Sequence, residues 1–201
     1  MSKKQPAAVS QVSSAETAIL ISLLQQVLAK NTAGEVVELG CYKGDTSILF
    51  QRELQKTDKT LWLYDSFAGL PEKTREDSSA AGDQFKSGEL FVTKREVIEK
   101  FKRHNLPLPK IKKAFFEGLD PISDLPNKIC FAFLDGDLYT SIKTSLTLVQ
   151  DKMQPGSIII IHDYNNPELP GSARAVDEWL KNHPGKYSSF QVKETLVIIY
   201  L

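Results

Sequence analysis

From residue 35 onward the apolar positions alternate between two periods, and that alternation leaves the chain few folds to choose from. A short β-branched run at 35–39 gives way to helical spacing through Ile48, Leu49 and Leu54. A second run at 60–64 is followed by a Gly-, Ser- and Asp-rich stretch at 66–88, read as a mobile loop, and then by a helix carrying Val97, Ile98 and Phe101. Runs at 110–116, 128–134 and 157–161 predict three more strands. A helix with Leu138, Ile142, Leu146 and Val149 on one stripe lies between the last two, and Pro155-Gly156 predicts a turn before the final one. A further helix is expected over 172–182. Segments 187–192 and 195–200 flank Lys193-Glu194 as a hairpin. Strand and helix in alternation imply a doubly wound α/β sheet with helices on both faces and right-handed crossovers. Seven strands are expected, mostly parallel, with the C-terminal hairpin antiparallel.

Before residue 35 the pattern is helical. Leu20, Leu23, Leu24, Val27 and Leu28 follow Ser13 and Glu16, which fit a capping box. Thr93 and Glu96 form a second such box. Asp45 and Asp137 are candidate caps for the helices behind them. A flexible tail over 1–11 and one domain over 12–201 is the resulting organisation, and 201 residues suffice to bury one core. Twenty-five basic and twenty-five acidic side chains cancel, so no net field draws the chain to nucleic acid or a membrane surface. Lys110, Lys112 and Lys113 read as a solvated strand edge. Cys41 and Cys130 lack metal or redox spacing and read as buried apolar side chains. With no signal core and no long apolar run, a cytoplasmic protein is expected.

In doubly wound sheets, ligands bind beyond the carboxyl ends of the strands, where the strand order reverses. The first strand ends in Glu38-x-Gly40-x-Tyr42-x-Gly44, where glycines permit a tight turn and close approach to backbone. The free N–H groups of the following helix suit a carboxylate. The middle glycine of the dinucleotide motif is missing, which favours a ligand ending in an amino acid, such as S-adenosylmethionine, over NAD. Asp65 ends the second strand, 25 residues beyond Gly40, where a Rossmann-type unit binds ribose hydroxyls. The fourth strand ends in Asp135-Gly136-Asp137 and the fifth in His162-Asp163-Tyr164. If these strands are neighbours, Asp135, His162 and Asp163 converge and could hold a divalent metal. Solvation or helix capping is the alternative for each aspartate. His104 and His183 read as capping or surface residues, and Trp62 and Trp179 as packing residues, with a cleft wall the other reading for Trp179.

The set Glu38-x-Gly-x-x-x-Gly44, Asp65-Ser66-Phe67-Ala68-Gly69-Leu70-Pro71, Asp135-Gly136-Asp137-Leu138-Tyr139 and His162-Asp163-Tyr164 resembles the macrocin O-methyltransferase family. Members methylate sugar hydroxyls of antibiotics with S-adenosylmethionine and magnesium. The resemblance implies a Rossmann-like methyltransferase domain acting on a small-molecule acceptor. It places Glu38, Gly40 and Tyr42 at the methionine end, Asp65 and Ser66 at the ribose, and Phe115 and Phe116 near adenine. It makes Asp135 and Asp163 metal ligands and Asp137 the general base. The family usually carries Asp-Asp-Tyr where this chain has His162-Asp163-Tyr164, which puts the metal's identity and occupancy in question and leaves His162 as a third ligand or a rival base. A nicotinamide oxidoreductase and a non-catalytic cofactor-binding protein are the alternative readings, and the hairpin edge could serve a homodimer.

Overall fold

The computed structural model describes residues 11–201. Residues 1–10, most of the expected tail, lie outside the described residues, whereas Gln11 lies at the mouth of a cleft described below. Among the described residues no helix is long and apolar enough to cross a membrane.

Both capping boxes form. Ser13 opens α1 (Ser14–Ala29) and Thr93 opens α3 (Lys94–Arg103), each with its glutamate reaching back to the cap N–H. Between them lie β1 (Glu35–Leu39), α2 (Asp45–Leu54) and β2 (Leu61–Asp65). The chain continues through β3 (Lys110–Lys113), β4 (Ile129–Leu134), α4 (Tyr139–Val149), β5 (Met153–Ile161), α5 (Pro170–Asn182), β6 (Ser189–Lys193) and β7 (Leu196–Tyr200). The sheet runs β3-β2-β1-β4-β5-β7-β6, and only the β7 pairings are antiparallel. This is the expected seven-stranded, Rossmann-like architecture. The order reverses between β1 and β4, which are directly paired, so a crevice opens beyond their carboxyl ends.

Strand β4 shows why the sheet is covered on both faces. Phe131 and Phe133 pack among the side chains of α1, α2 and α3, while Ala132 and Leu134 pack among those of α4 and α5. All six of its residues are buried, as its uninterrupted apolar run requires. At the edge, β3 is short and lysine-rich, and such a strand resists pairing with other chains.

Four local expectations are corrected. Pro155 and Gly156 lie inside β5 instead of in a turn before it. The register with β4 jumps from Ile129–Met153 to Phe131–Ile158, and the bulge absorbs a proline that has no N–H to pair. Strand β3 stops at Lys113, and Phe116 begins a 3-10 turn (Phe116–Gly118). Neither Asp45 nor Asp137 caps its helix: Gly44 holds the cap position of α2 in a left-handed conformation, and Leu138 that of α4. The capping oxygen for α4 comes from far away. Asp77, in a 3-10 turn (Arg75–Asp77) within the expected loop, accepts the Tyr139 N–H at 2.7 Å. Trp179, by contrast, is buried and stacks on His183 at the end of α5, in keeping with the packing role expected of it.

Candidate functional site

Four strand ends lie side by side. Leu39 pairs with Tyr64 and Leu134, and Leu134 with Ile161, so Gly40, Asp65, Asp135 and His162 emerge in one row. Gly40 passes so close to β4 that a Cβ there would lie 1.9 Å from the Asp135 carbonyl oxygen, and its φ is +93°. Only glycine fits. A cleft of about 800 Å³ opens above this row. Its walls include Gly40, Tyr42, Asp65, Ser66, Phe115, Phe116 and Asp135, the larger part of the residues expected to hold a cofactor, together with Asp137, expected as the base.

Asp65 shapes the floor of the cleft. Its Oδ2 accepts the Cys41 and Tyr42 N–H groups at 3.1 and 3.0 Å, and Oδ1 accepts Phe67 N–H at 2.8 Å. A carboxylate offers about four acceptor positions, so three are spent on backbone and about one remains for a ligand hydroxyl. The carboxylate thus splays the loop after β1 against the loop after β2. Ser66 is similarly committed, donating to the Gly69 carbonyl and accepting Ala68 N–H. Phe115 is 43% exposed and Phe116 buried, so they offer an apolar wall with one open ring.

Glu38 and Gly44 are not on the cleft wall. Glu38 is fully buried beneath it, accepting hydrogen bonds from the Thr46 and Ser47 hydroxyls in the first turn of α2. Burial pushes its carboxyl up to about 8, against the pull of those two hydroxyls. It ties α2 to β1 from below the cleft floor. Gly44 contributes its left-handed φ of +73°, and no close backbone approach requires it.

The predicted convergence of Asp135, His162 and Asp163 is present: one ligand atom from each lies within 4.8 Å of the others. His162 Nδ1 is 2.9 Å from Asp135 Oδ1 and 3.0 Å from Asp163 Oδ2. Its Nε2 faces Glu16 Oε1 of α1 at 3.6 Å. Glu16 was legible only as a capping residue. One of its oxygens takes the Ser13 N–H, and the other takes the N–H and hydroxyl of Thr195 in the β6–β7 turn. The ring is 5% exposed and absent from the cleft wall, as is Asp163, so His162 is not placed to meet a substrate.

A magnesium ion does not suit this set. It demands near-octahedral oxygen ligation at about 2.1 Å and usually keeps several waters. Here Asp163 already accepts Asn166 Nδ2–H at 2.8 Å through its other oxygen, and the third donor is an imidazole nitrogen. An imidazole nitrogen suits zinc, iron or nickel better than magnesium, so the donor set itself departs from the oxygen ligation magnesium requires.

Asp137 differs from its neighbours. It lines the cleft at 9% exposure with φ +60°, and among the described residues its carboxyl has no hydrogen-bond partner. Burial, then the charges of Asp135 and Asp163, hold its pKa well above the usual carboxylate range. An unpartnered acid aimed into a cleft can exchange a proton with a bound group.

The Macrocin-O-methyltransferase (TylF) family pattern matches residues 3–197. The chain belongs to this family. A tetracenomycin-C 4'-O-methyltransferase acting on a dimethoxyrhamnosyl derivative, from Streptomyces olivaceus, is 31% identical over 151 residues, 70% of this chain and 57% of that protein. Demethyldecarbamoylnovobiocin O-methyltransferase of Streptomyces niveus is 28% identical over 165 residues, 78% of this chain and 62% of that protein. The chain therefore spans about three fifths of the length of these relatives. In fold it resembles the O-methyltransferase NovP, with a TM-score of 0.82 at 24% identity over 96% of this chain and 82% of that one.

Proposed function

We propose that this member of the macrocin O-methyltransferase family transfers a methyl group from S-adenosylmethionine to a hydroxyl of a small molecule, of the sugar or natural-product class named for its relatives. The observation that carries the reading is the cleft itself. A glycine-floored loop braced by Asp65 faces an aromatic wall and an unpartnered acid, all beyond the carboxyl edge where the strand order reverses. The nucleoside would lie with adenine against Phe115 and Phe116 and a ribose hydroxyl on the remaining acceptor position of Asp65. The amino-acid end would extend past Tyr42 toward the start of α2, where backbone N–H groups favour a carboxylate.

Catalysis then rests on alignment and proton removal. The cofactor supplies the electrophilic methyl group, and the protein holds the acceptor oxygen in line with it. Asp137 is the group placed to take the acceptor's proton. Burial disfavours its charged form; the positive sulfonium nearby would favour the ionised form and prepare it as a base. The donor set of Asp135, His162 and Asp163 suits magnesium poorly, so no step is routed through an ion, and His162, buried away from the cleft wall, is less well placed than Asp137 to act as base. Residues 66–93 form the outer wall through Leu70, Pro71 and Leu90 and would exclude water from the acceptor.

Titration calorimetry with S-adenosylhomocysteine, beside a turnover assay on a panel of glycosylated natural products, tests the reading. Wild type should bind the nucleoside. Asp137→Asn should bind it about equally well and transfer at least about a hundredfold more slowly, the typical worth of a positioned base. Failure of wild type to bind the nucleoside would overturn the proposal.

A further inference from the structure

The carboxylates at and behind the cleft wall belong to three separate parts of the fold: Glu16 to α1, Asp135 to the end of β4 and Asp163 to the end of β5. Such a group is not buried together without a compensating positive charge. Among the described residues the one basic side chain placed among them is His162, with Nδ1 between two of the carboxylates and Nε2 facing the third. We propose that in this chain the His162 ring takes the place of the divalent ion, serving as a built-in cation that holds Asp135 at the cleft, so that the site needs no metal. The inference rests on the methyltransferase reading of the cleft.

Geometry supplies the main argument. Nδ1 lies 2.9 and 3.0 Å from oxygens of Asp135 and Asp163, and Nε2 faces Glu16 at 3.6 Å, so the ring occupies the middle of the acidic group, and a doubly protonated ring would offset its charge. The ring spans from Glu16 to the aspartate pair, a longer reach than a single ion with bonds of about 2.1 Å provides. The ring thereby joins α1 to the strand ends. Gln11 and Val12, just before α1, line the cleft mouth, so the same link helps position the segment that borders the cofactor. His162 is accordingly a positioning residue. It touches neither cofactor nor acceptor.

The experiment uses the full chain stripped with EDTA. With 15N-histidine labelling, the His162 ring should show two protonated nitrogens at neutral and mildly alkaline pH. Addition of Mn2+ or Zn2+ should leave that signature unchanged. S-adenosylhomocysteine should bind equally well in EDTA and in Mg2+. His162→Asp, which restores an oxygen donor, should bind Mn2+ at least about tenfold more tightly than wild type. Should that variant not fold, the nitrogen signature and the metal titration of wild type decide the matter. A neutral ring, or Mn2+ or Zn2+ displacing the Nδ1 proton, would overturn this inference while leaving nucleoside binding intact. Loss of nucleoside binding under every condition would instead overturn the proposed function.

Discussion

Replacing Asp65 by asparagine tests whether one carboxylate shapes the cofactor loop. In the native chain it accepts three backbone N–H groups, from Cys41, Tyr42 and Phe67, at 2.8 to 3.1 Å. Hydrogen bonds to a charged group contribute about 1.5–3 kcal/mol each. The asparagine oxygen can keep the Cys41 and Tyr42 pair, weakened by loss of charge. Its amide NH2 then faces the Phe67 N–H, donor against donor. One bond lost outright, its donor left without a partner, and two bonds weakened sum to about 3 kcal/mol, a large share of the 5–15 kcal/mol typical of a domain. Urea unfolding should show a lower midpoint at constant m-value. If about 2 kcal/mol of the disturbance reaches the loop geometry, S-adenosylhomocysteine affinity falls roughly thirtyfold. Stability within about 0.5 kcal/mol of wild type together with unchanged affinity would show that the loop is shaped by something else.

Three further outcomes follow from the same geometry. Glu38 has a folded pKa of about 8 against an ordinary 4.5, so the stability it carries is complete below pH 4.5 and is lost as pH rises through 8. Between pH 5 and pH 9 that loss is on the order of 4 kcal/mol, and Glu38→Gln, which does not titrate, should gain on wild type by that amount in urea unfolding; parallel pH profiles would refute the burial argument. Gly40→Ala must place a Cβ 1.9 Å from a backbone oxygen at a positive φ, so it should cost more than about 3 kcal/mol or fail to fold, and a native-like melting temperature would contradict the close approach. Asp77→Ala removes the oxygen capping α4 and should cost about 2 kcal/mol while exposing residues 70–90 to limited proteolysis; an unchanged digestion pattern would show that this acid does not hold the loop.

The fold was legible because its signals are local and repeated. The uninterrupted run in β4, the two capping boxes and the change of period at each strand act over a few residues, and the structure keeps them. The row of Gly40, Asp65 and Asp135 was legible too, since parallel strands of similar length bring their ends together. What escaped is what depends on distant partners. Glu38 sits in a motif that suggests a ligand, yet two hydroxyls of α2 occupy it, and Thr46 and Ser47 give no sign of that in isolation. The acid capping α4 lies more than sixty residues before its helix, so no local rule could find Asp77. The second oxygen of Glu16 has its role only because the β6–β7 turn brings Thr195 beside α1. His162 was correctly placed in the cluster, but the approach of Glu16 to its other ring nitrogen exists only in the folded chain.

The most direct test of the central claim is a crystal structure of the chain with S-adenosylhomocysteine. The account expects the adenine against Phe115 and Phe116, a ribose hydroxyl on Asp65, and the sulfur facing the carboxyl of Asp137. A nucleoside bound elsewhere on the surface, with Asp65 and Asp137 both facing solvent, would contradict it.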